Sequence, residues 1–366
     1  MHLKNIQLNQ FKNYAQSQLN FSAEINCFVG INGSGKTNLL DAIHYLCLTK
    51  SALNGVDAQN IQHEKDFFTV FGEFDLEEKD WEIKCIVEHG KKKQLLQNGK
   101  GIDKMSEHVG LLPIVMIAPD DTQILKEGSE ERRRFFDNML CQLNKSYLEQ
   151  LVRYQHFLKQ RNALLKKFAE TGRFEGSHLE PYDREIIHLS QSIAKYRQDF
   201  ILEYKPLLIK HYAIISDQQE PIDIQYESQC LSQDFPKEFI GNHRRDFVLK
   251  RTTMGIHKDD FVFEIDGYPI KKFGSQGQQK SFVISLKLAQ FQIFFEHKKT
   301  KPILLLDDIF DKLDDRRIKK LMNLVADHQF GQLFITDARP ERSRKILEQM
   351  DGEVKFFQIE NGGIQP

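Results

Sequence analysis

Eight residues constrain this chain more than any others: "GINGSGKT", Gly30 to Thr37, set between the apolar run "INCFV" and the run "KTNLLDAIHYLCL". The first run reads as a buried strand and the second as a helix. A strand that turns into a helix through three glycines leaves backbone N–H groups free at the helix start. Gly30, Gly33 and Gly35 let those groups turn inward around phosphate oxygens. Lys36 can bridge a β- and a γ-phosphate, and the Thr37 hydroxyl can bind Mg2+. The alternative reading is a plain glycine turn before a core helix.

Composition bounds the rest. The 366 residues allow one large or two ordinary domains. Hydrophobic residues are 40% and charged residues 28%, as in a soluble globular protein. A formal net charge of −1 excludes a globally basic nucleic-acid binder but leaves room for a local patch. The five cysteines (Cys27, Cys47, Cys85, Cys141, Cys230) have no zinc spacing, and an odd count argues against a disulfide framework. Reduced thiols are the expectation, and with them a cytoplasmic location. The N-terminus is too polar for a signal peptide, and no apolar run is long enough for a membrane span.

Short strand-like segments fill the first 120 residues, with "FTVFGEFDL", "WEIKCIVEHG" and "KQLLQNGKGI" alternating as antiparallel strands do. From about residue 121 the periodicity is helical. Leu148, Leu151, Val152, Leu158 and Leu165 form one stripe; Ile186, Leu189, Ile193, Tyr196, Phe200 and Tyr204 form another. The glycine-containing stretch between them predicts an antiparallel helical hairpin, with helices of about 24 residues reaching roughly 36 Å. Pro206 is expected to end or kink the second helix. Strands alternating with helices return near the C-terminus and imply an α/β class with a mainly parallel sheet.

Two further motifs carry chemistry. "ILLLDDIF", Ile303 to Phe310, is an apolar strand ending in two aspartates at the edge where open α/β sheets bind ligands. Asp307 is placed to hold Mg2+, and Asp308 to accept a proton from an attacking water or to orient it. "FGSQGQQKSF", Phe273 to Phe282, gathers small polar groups before an apolar helix. It reads either as a helix cap or as an anion site at the helix start.

This last loop resembles the signature of ABC-type ATPases, with Ser275, Gly277 and Gln278 matching in order and Gln276 in place of the first glycine. "NQFKNY", "APDD", "ERRRFFDNML", "GIHKDDF", "FGSQGQQKS" and "PILLLDDIFDKLD", in this order, resemble the RecF family of recombinational-repair ATPases, relatives of the SMC proteins. The resemblance implies an ABC/SMC-type P-loop ATPase head with a mixed sheet, residues 1–120 and 241–366, and an inserted helical arm, residues 121–240. It also implies an ATP-dependent homodimer with ATP and Mg2+ held between two heads, DNA binding at gaps or junctions, and slow DNA-stimulated hydrolysis. Work with RecO and RecR in loading RecA, and support of the SOS response, belong to the same implication. By position, Gly30, Ile31, Asn32, Gly33, Ser34, Gly35, Lys36, Thr37 and Asn38 form the nucleotide loop. Ser275, Gly277, Gln278 and Lys280 form the signature, and Asp311 to Asp314 the loop facing the dimer partner. Lys12 and Asn13 stand where relatives touch nucleotide.

Departures from the transporter pattern are informative. "APDD", Ala118 to Asp121, replaces a glutamine, Thr336 and Asp337 stand where many relatives have a histidine switch, and Asp308 is one methylene shorter than glutamate. A shorter base and a missing imidazole point to a switch rather than a fast engine. A transporter nucleotide-binding subunit, a nuclease-regulating ATPase and a non-catalytic scaffold are the rival readings. Candidate DNA contacts are Lys91-Lys92-Lys93, Arg132-Arg133-Arg134, Arg244-Arg245, Lys250-Arg251, and Arg316-Arg317 with Lys319-Lys320. His257, Asp259 and Asp260 fit a structural role better than a metal site.

Overall fold

The polar N-terminus folds as a strand because Leu3, Ile6, Leu8 and Phe11 are all buried on one side. A register shift between Leu3 and Asn5 puts Leu3 on the face of Ile6 and Leu8 despite the odd spacing. The computed structural model describes residues 1–216, 220–312, 314–326, 330–350, 352–360 and 362–365. In chain order the elements begin β1 (His2–Phe11), β2 (Tyr14–Asn20), β3 (Ile25–Val29), α1 (Lys36–Leu48), β4 (Phe67–Leu76), β5 (Lys79–Glu88), β6 (Gln94–Gln97), β7 (Lys100–Gly101) and β8 (Ile114–Ile117). Then come α2 (Gln123–Lys126), α3 (Ser129–Leu143), α4 (Lys145–Thr171), α5 (Glu180–Ser216), β9 (Ile222–Glu227), α6 (Phe235–Gly241), α7 (His243–Leu249), β10 (Asp260–Ile265), β11 (Tyr268–Pro269) and α8 (Ile270–Phe273). The chain closes with α9 (Gln276–Lys298), β12 (Ile303–Leu306), α10 (Ile309–Lys312), α11 (Asp315–Ala326), β13 (Leu333–Asp337), α12 (Pro340–Leu347), β14 (Val354–Glu360) and β15 (Gly363–Gln365).

Two units result, Met1–Asp121 with Lys280–Pro366, and Thr122–Gln279. In the first, the described residues form an antiparallel sheet of order β2-β1-β4-β5-β6-β7 and a mainly parallel sheet of order β15-β14-β3-β13-β12-β8. β4 alternates buried and half-buried residues, as a one-sided strand should. β3 and β12 are buried at every position, as expected of central parallel strands. One core cluster joins Ile6 and Val70 of the antiparallel sheet, Leu39, Ile43 and Leu46 of α1, and Phe28, Phe334 and Phe357 of the parallel sheet. The helix that follows the phosphate loop is therefore packed by both sheets.

In the second unit, α4 and α5 form the expected antiparallel pair, seen in the cross-links Arg153–Glu185 and Tyr147–Arg197. The helices have 27 and 37 residues. At the α-helical rise they reach about 40 Å and about 55 Å. α5 does not end at Pro206. Pro206 and Leu202, whose carbonyl loses its donor, are both exposed, so water can satisfy that carbonyl. Tyr204, Leu208 and Tyr212 meanwhile keep the other face buried. The stripes also differ in detail. Val152 is 55% exposed, and the buried positions of α4 are Tyr147, Leu151, Tyr154, Arg161, Leu165 and Phe168.

Two arginines explain where the second unit ends. Arg161 is fully buried and bonds Asp183 (2.7 Å), Asp246 (2.6 Å) and Thr252 (2.8 Å). Arg197 bonds Asp137 (2.9 Å), Asp259 (3.0 Å) and the carbonyl of Ile256 (3.0 Å). Segment 241–260 is thus tied to the helices, and β10 pairs with β9 along its length. The unit reaches Gln279 rather than stopping at residue 240.

His257 belongs to this framework. Its Nε2 lies 3.1 Å from the Thr252 carbonyl and must donate there, so Nδ1 accepts from the Tyr154 hydroxyl at 2.6 Å. Burial pushes its pKa down to about 4, so the folded ring is neutral. The unfolded chain takes up a proton near the ordinary value of about 6.5 while the folded state resists it. Stability is therefore complete above about pH 6.5 and is lost as pH falls toward about 4. Thermal unfolding followed from about pH 7 to about pH 5 should show a falling melting temperature, and His257→Gln should flatten part of that slope.

Candidate nucleotide-binding site

Register brings the chemistry-bearing segments to one edge. β13 runs parallel to β3 with Asp337 opposite Val29, and β12 runs parallel to β13 with Leu306 opposite Ile335. The residues after the carboxyl ends of these strands are Gly30 of the phosphate loop and Asp307. Thr336 and Asp337 close β13 beside them.

The loop has the geometry its glycines require. Gly35 has φ +115°, in the left-handed region, and a side chain there would collide with Asn13. A Cβ on Gly30 would strike the backbone carbonyl of Ile359. Lys36 is buried, and its ammonium donates to the carbonyls of Gly30 (2.9 Å) and Ile31 (3.1 Å). The buried hydroxyl oxygen of Ser34 has no hydrogen-bond partner among the described residues. Ile31, Asn32 and Gly33 form the exposed crest. An interior lined by a cation, N–H groups and an orphaned hydroxyl fits phosphate.

Asn13 and Asn38 flank the loop. Asn38 donates to Asn13 Oδ1 (2.8 Å), and Asn13 donates to the Ser34 carbonyl (3.1 Å). Lys12 is turned inward onto the buried Asp41 at 2.5 Å. Lys12, Asn13, Asn38, Leu53, Asn54 and Ile61 line a cavity of about 600 Å3 next to the loop.

Thr37 and Asp307 meet, with the hydroxyl donating to Oδ1 at 2.9 Å. Asp307 Oδ1 also accepts from Thr336 at 2.8 Å. Burial raises the Asp307 carboxyl above its ordinary range, against the hydroxyls of Thr336 and Thr37. One hydroxyl and one buried carboxylate fit Mg2+, which takes few protein ligands and completes its shell with phosphate oxygens and water. The described residues contain no cluster of three or more metal-binding carboxylates, histidines or cysteines. Asp308 has φ +43°. That region costs a non-glycine residue on the order of 1–3 kcal/mol. Its Oδ1 is buried and has no partner among the described residues.

The signature candidates form a reciprocal cap of the capping-box kind. The Ser275 N–H donates to Gln278 Oε1 (2.7 Å), and the Gln278 N–H donates to Ser275 Oγ (3.2 Å). Gln278 also donates to Glu220 at 2.6 Å. Gly277 lies in the first turn of α9. The cap reading of this loop is thus realised, and Ser275 remains exposed. In the segment Asp311 to Asp314, Leu313 and the side chains of Asp311 and Lys312 lie outside the described residues.

The basic clusters divide. Lys93 is turned inward onto Thr49 and Asp57, and Lys91 pairs with Glu88. Arg132 grips Asp260 through two bonds, Arg133 holds the Asp259 carbonyl, and Arg134 pairs with Glu131. Arg317 bonds Asp314 and Ser281. Arg244, Arg245, Lys250 and Arg251 are exposed and make no ion pair among the described residues. His257, Asp259 and Asp260 are all engaged in structural bonds, and Asp259 also accepts from Tyr226. The sequence marks Thr336 and Asp337 only as standing in place of a histidine switch; the bonds of Thr336 to Asp307 and Asp308, and the buried arginines, are not legible in it.

The comparisons agree on one family. Residues 2–365 match the RecF/RecN/SMC N terminal domain. The DNA replication and repair protein RecF of Flavobacterium johnsoniae is 44% identical over 98% of this chain and 100% of its own length. That of Cytophaga hutchinsonii is also 44% identical, over 100% of this chain and 97% of its own. Among solved structures, the recombination mediator protein RecF-ATPrS in the RecFOR pathway superposes with a TM-score of 0.89 at 27% identity, covering 100% of this chain and 97% of that one. An SMC head bound to the C-winged helix domain of ScpA shares the fold, with a TM-score of 0.58 at 16% identity over 100% of this chain and 96% of that one. No helix among the described residues is long and apolar enough to cross a membrane. With an ABC/SMC-type head, a phosphate loop at its sheet edge and relatives alike along their whole length, the chain belongs to the RecF family.

Proposed function

We propose that this chain is an ATP- and DNA-binding switch of replication and recombinational repair, with slow ATP hydrolysis resetting an ATP-dependent homodimer. The observation that carries this reading is the meeting of Thr37 and Asp307 beside the Lys36 loop. The RecF-ATP structure, with a TM-score of 0.89, supports ATP as the nucleotide. Phosphates would take over the Lys36 ammonium from the Gly30 and Ile31 carbonyls, and the cavity beside Asn13 and Asn38 has room for the nucleoside. Mg2+, when bound by Thr37 and Asp307, would offset charge on the phosphate oxygens. In hydrolysis a water oxygen bonds to the γ-phosphorus, the bond to the ADP oxygen breaks, and Asp308 takes the water's proton. Ser275, Gly277 and Gln278 are proposed to complete the site of the partner subunit. RecR with RecO, and through them RecA loading and the SOS response, are the proposed context, in line with the RecFOR setting of the matched structures.

Lys36→Ala should abolish tight ATP binding in a filter or calorimetric titration, because a phosphate-directed cation is lost. Asp308→Asn should bind ATP and remain dimeric by light scattering while phosphate release stops. Wild-type turnover in Asp308→Asn would remove it as the base.

Ser275→Arg should still bind ATP but no longer dimerise. Mixed with Lys36→Ala, it should form ATP-dependent heterodimers, because both defects fall on one composite site and the other stays whole. Full self-association of Ser275→Arg with ATP would leave the loop as a cap alone.

For DNA, the exposed Arg244, Arg245, Lys250 and Arg251 are the favoured phosphate contacts. Burial, followed by nearby Arg251 and Arg133, pushes the Lys258 ammonium down, which puts Lys258 beside the exposed Arg251 on this face. The double substitution Arg251→Ala with Lys258→Ala should weaken DNA binding and reduce the salt slope by about 0.9 per lost contact on duplex. Lys93→Ala should leave that slope unchanged and lower stability instead; an unchanged slope in the double variant would exclude this face.

A further inference from the structure

Thr336 is fully buried, and its hydroxyl makes two bonds at once. It donates to Asp307 Oδ1 at 2.8 Å and accepts from the Asp308 N–H at 2.8 Å. One hydroxyl thus joins the side chain of the first aspartate to the backbone of the second. The backbone it holds is the strained one, with Asp308 at φ +43°. A second tie comes from the next residues of the same strand end. Asp337 bonds Arg342, whose Nη1 donates to the Phe310 carbonyl at 3.1 Å, with the guanidinium 5.7 Å from the Phe310 ring centre. The segment after β12 is therefore fastened to the end of β13 at residues 307, 308 and 310.

We propose that Thr336 is a positioning residue for Asp308: its hydroxyl, set between the Asp307 carboxylate and the Asp308 amide, holds the left-handed turn from which the Asp308 carboxylate acts. The proposal rests on the ATPase reading of this site. A left-handed non-glycine residue persists only where its surroundings over-determine it. The Asp308 Oδ1 supplies no such hold, since it has no partner among the described residues. The Thr336 bond fixes the backbone instead and leaves Oδ1 open to a proton. It also gives Asp307 Oδ1 a second donor besides Thr37, fixing that carboxylate's rotation.

The test compares Thr336→Val, of the same shape but without the hydroxyl, with Thr336→Ser, which keeps it. Hydrogen exchange at the Asp308 amide is measured in the full chain without nucleotide. It should be about tenfold faster in Thr336→Val, for the loss of one hydrogen bond, and near wild type in Thr336→Ser. In steady-state ATP hydrolysis, kcat should fall on the order of tenfold to a hundredfold in Thr336→Val, with a smaller change in KM from the loosened Asp307 carboxylate, as for a displaced catalytic group. Thr336→Ser should recover most of it. Wild-type exchange at Asp308 in Thr336→Val, or an unchanged kcat, overturns the proposal. Should Thr336→Val not fold, Thr336→Ala carries the same comparison. If the wild-type chain releases no phosphate, the ATPase reading fails, and exchange at Asp308 alone decides whether Thr336 holds the turn.

Discussion

A single hydrogen bond, from the Thr37 hydroxyl to the Asp307 carboxylate, joins two segments 270 residues apart in sequence. Everything the site can do with a phosphate and a cation requires that closure. Parallel pairing makes it possible, because β3, β13 and β12 lie side by side with their carboxyl ends at one edge. α1, packed by both sheets through Leu39, Ile43 and Leu46, fixes where Thr37 points. The site is therefore a property of the completed head. Neither the phosphate loop nor the aspartate strand can form it alone.

Much of this is legible in the sequence alone. The strand, loop and helix around Gly30 to Thr37 follow from local rules, and α1 begins and ends where the apolar spacing places it. The strand before Asp307 was equally plain, because a short, wholly apolar run fits a central parallel strand. The strand order was not legible. Register depends on pairings between residues hundreds of positions apart, and no local pattern encodes them. Thr336 illustrates the limit at the site. Its place at the histidine-switch position is legible, but its two bonds to Asp307 and Asp308 are not, because they depend on pairings no local pattern encodes.

The helical unit shows a different limit. The stripes assign the core of α4 and α5 to aliphatic and aromatic residues, and Leu151, Leu165, Ile186, Leu189, Ile193, Phe200 and Tyr204 are buried as expected. Arg161 and Arg197 occupy core positions as well, each among carboxylates from distant segments. A buried guanidinium is tolerable only when its charge is met, so each arginine demands carboxylate partners rather than any apolar neighbour, although Nη2 of Arg161 has no hydrogen-bond partner among the described residues. That demand draws segment 241–260 onto the helices and extends the unit beyond its purely helical part. Removing one partner would strand the other charge, and breaking such a pair costs about 3–5 kcal/mol.

The reciprocal bonds of Ser275 and Gln278 have a consequence for how this loop can vary over time. Each residue is the other's partner, so replacing either alone leaves an N–H at the start of α9 without its acceptor. A change at one position is tolerated best when the other changes with it. Each single replacement gives up a cap bond of about 0.5–2 kcal/mol, whatever the loop meets beyond its own chain. A well-made helix end and any recognition by this loop therefore draw on the same two side chains, so a substitution meant to probe one also disturbs the other.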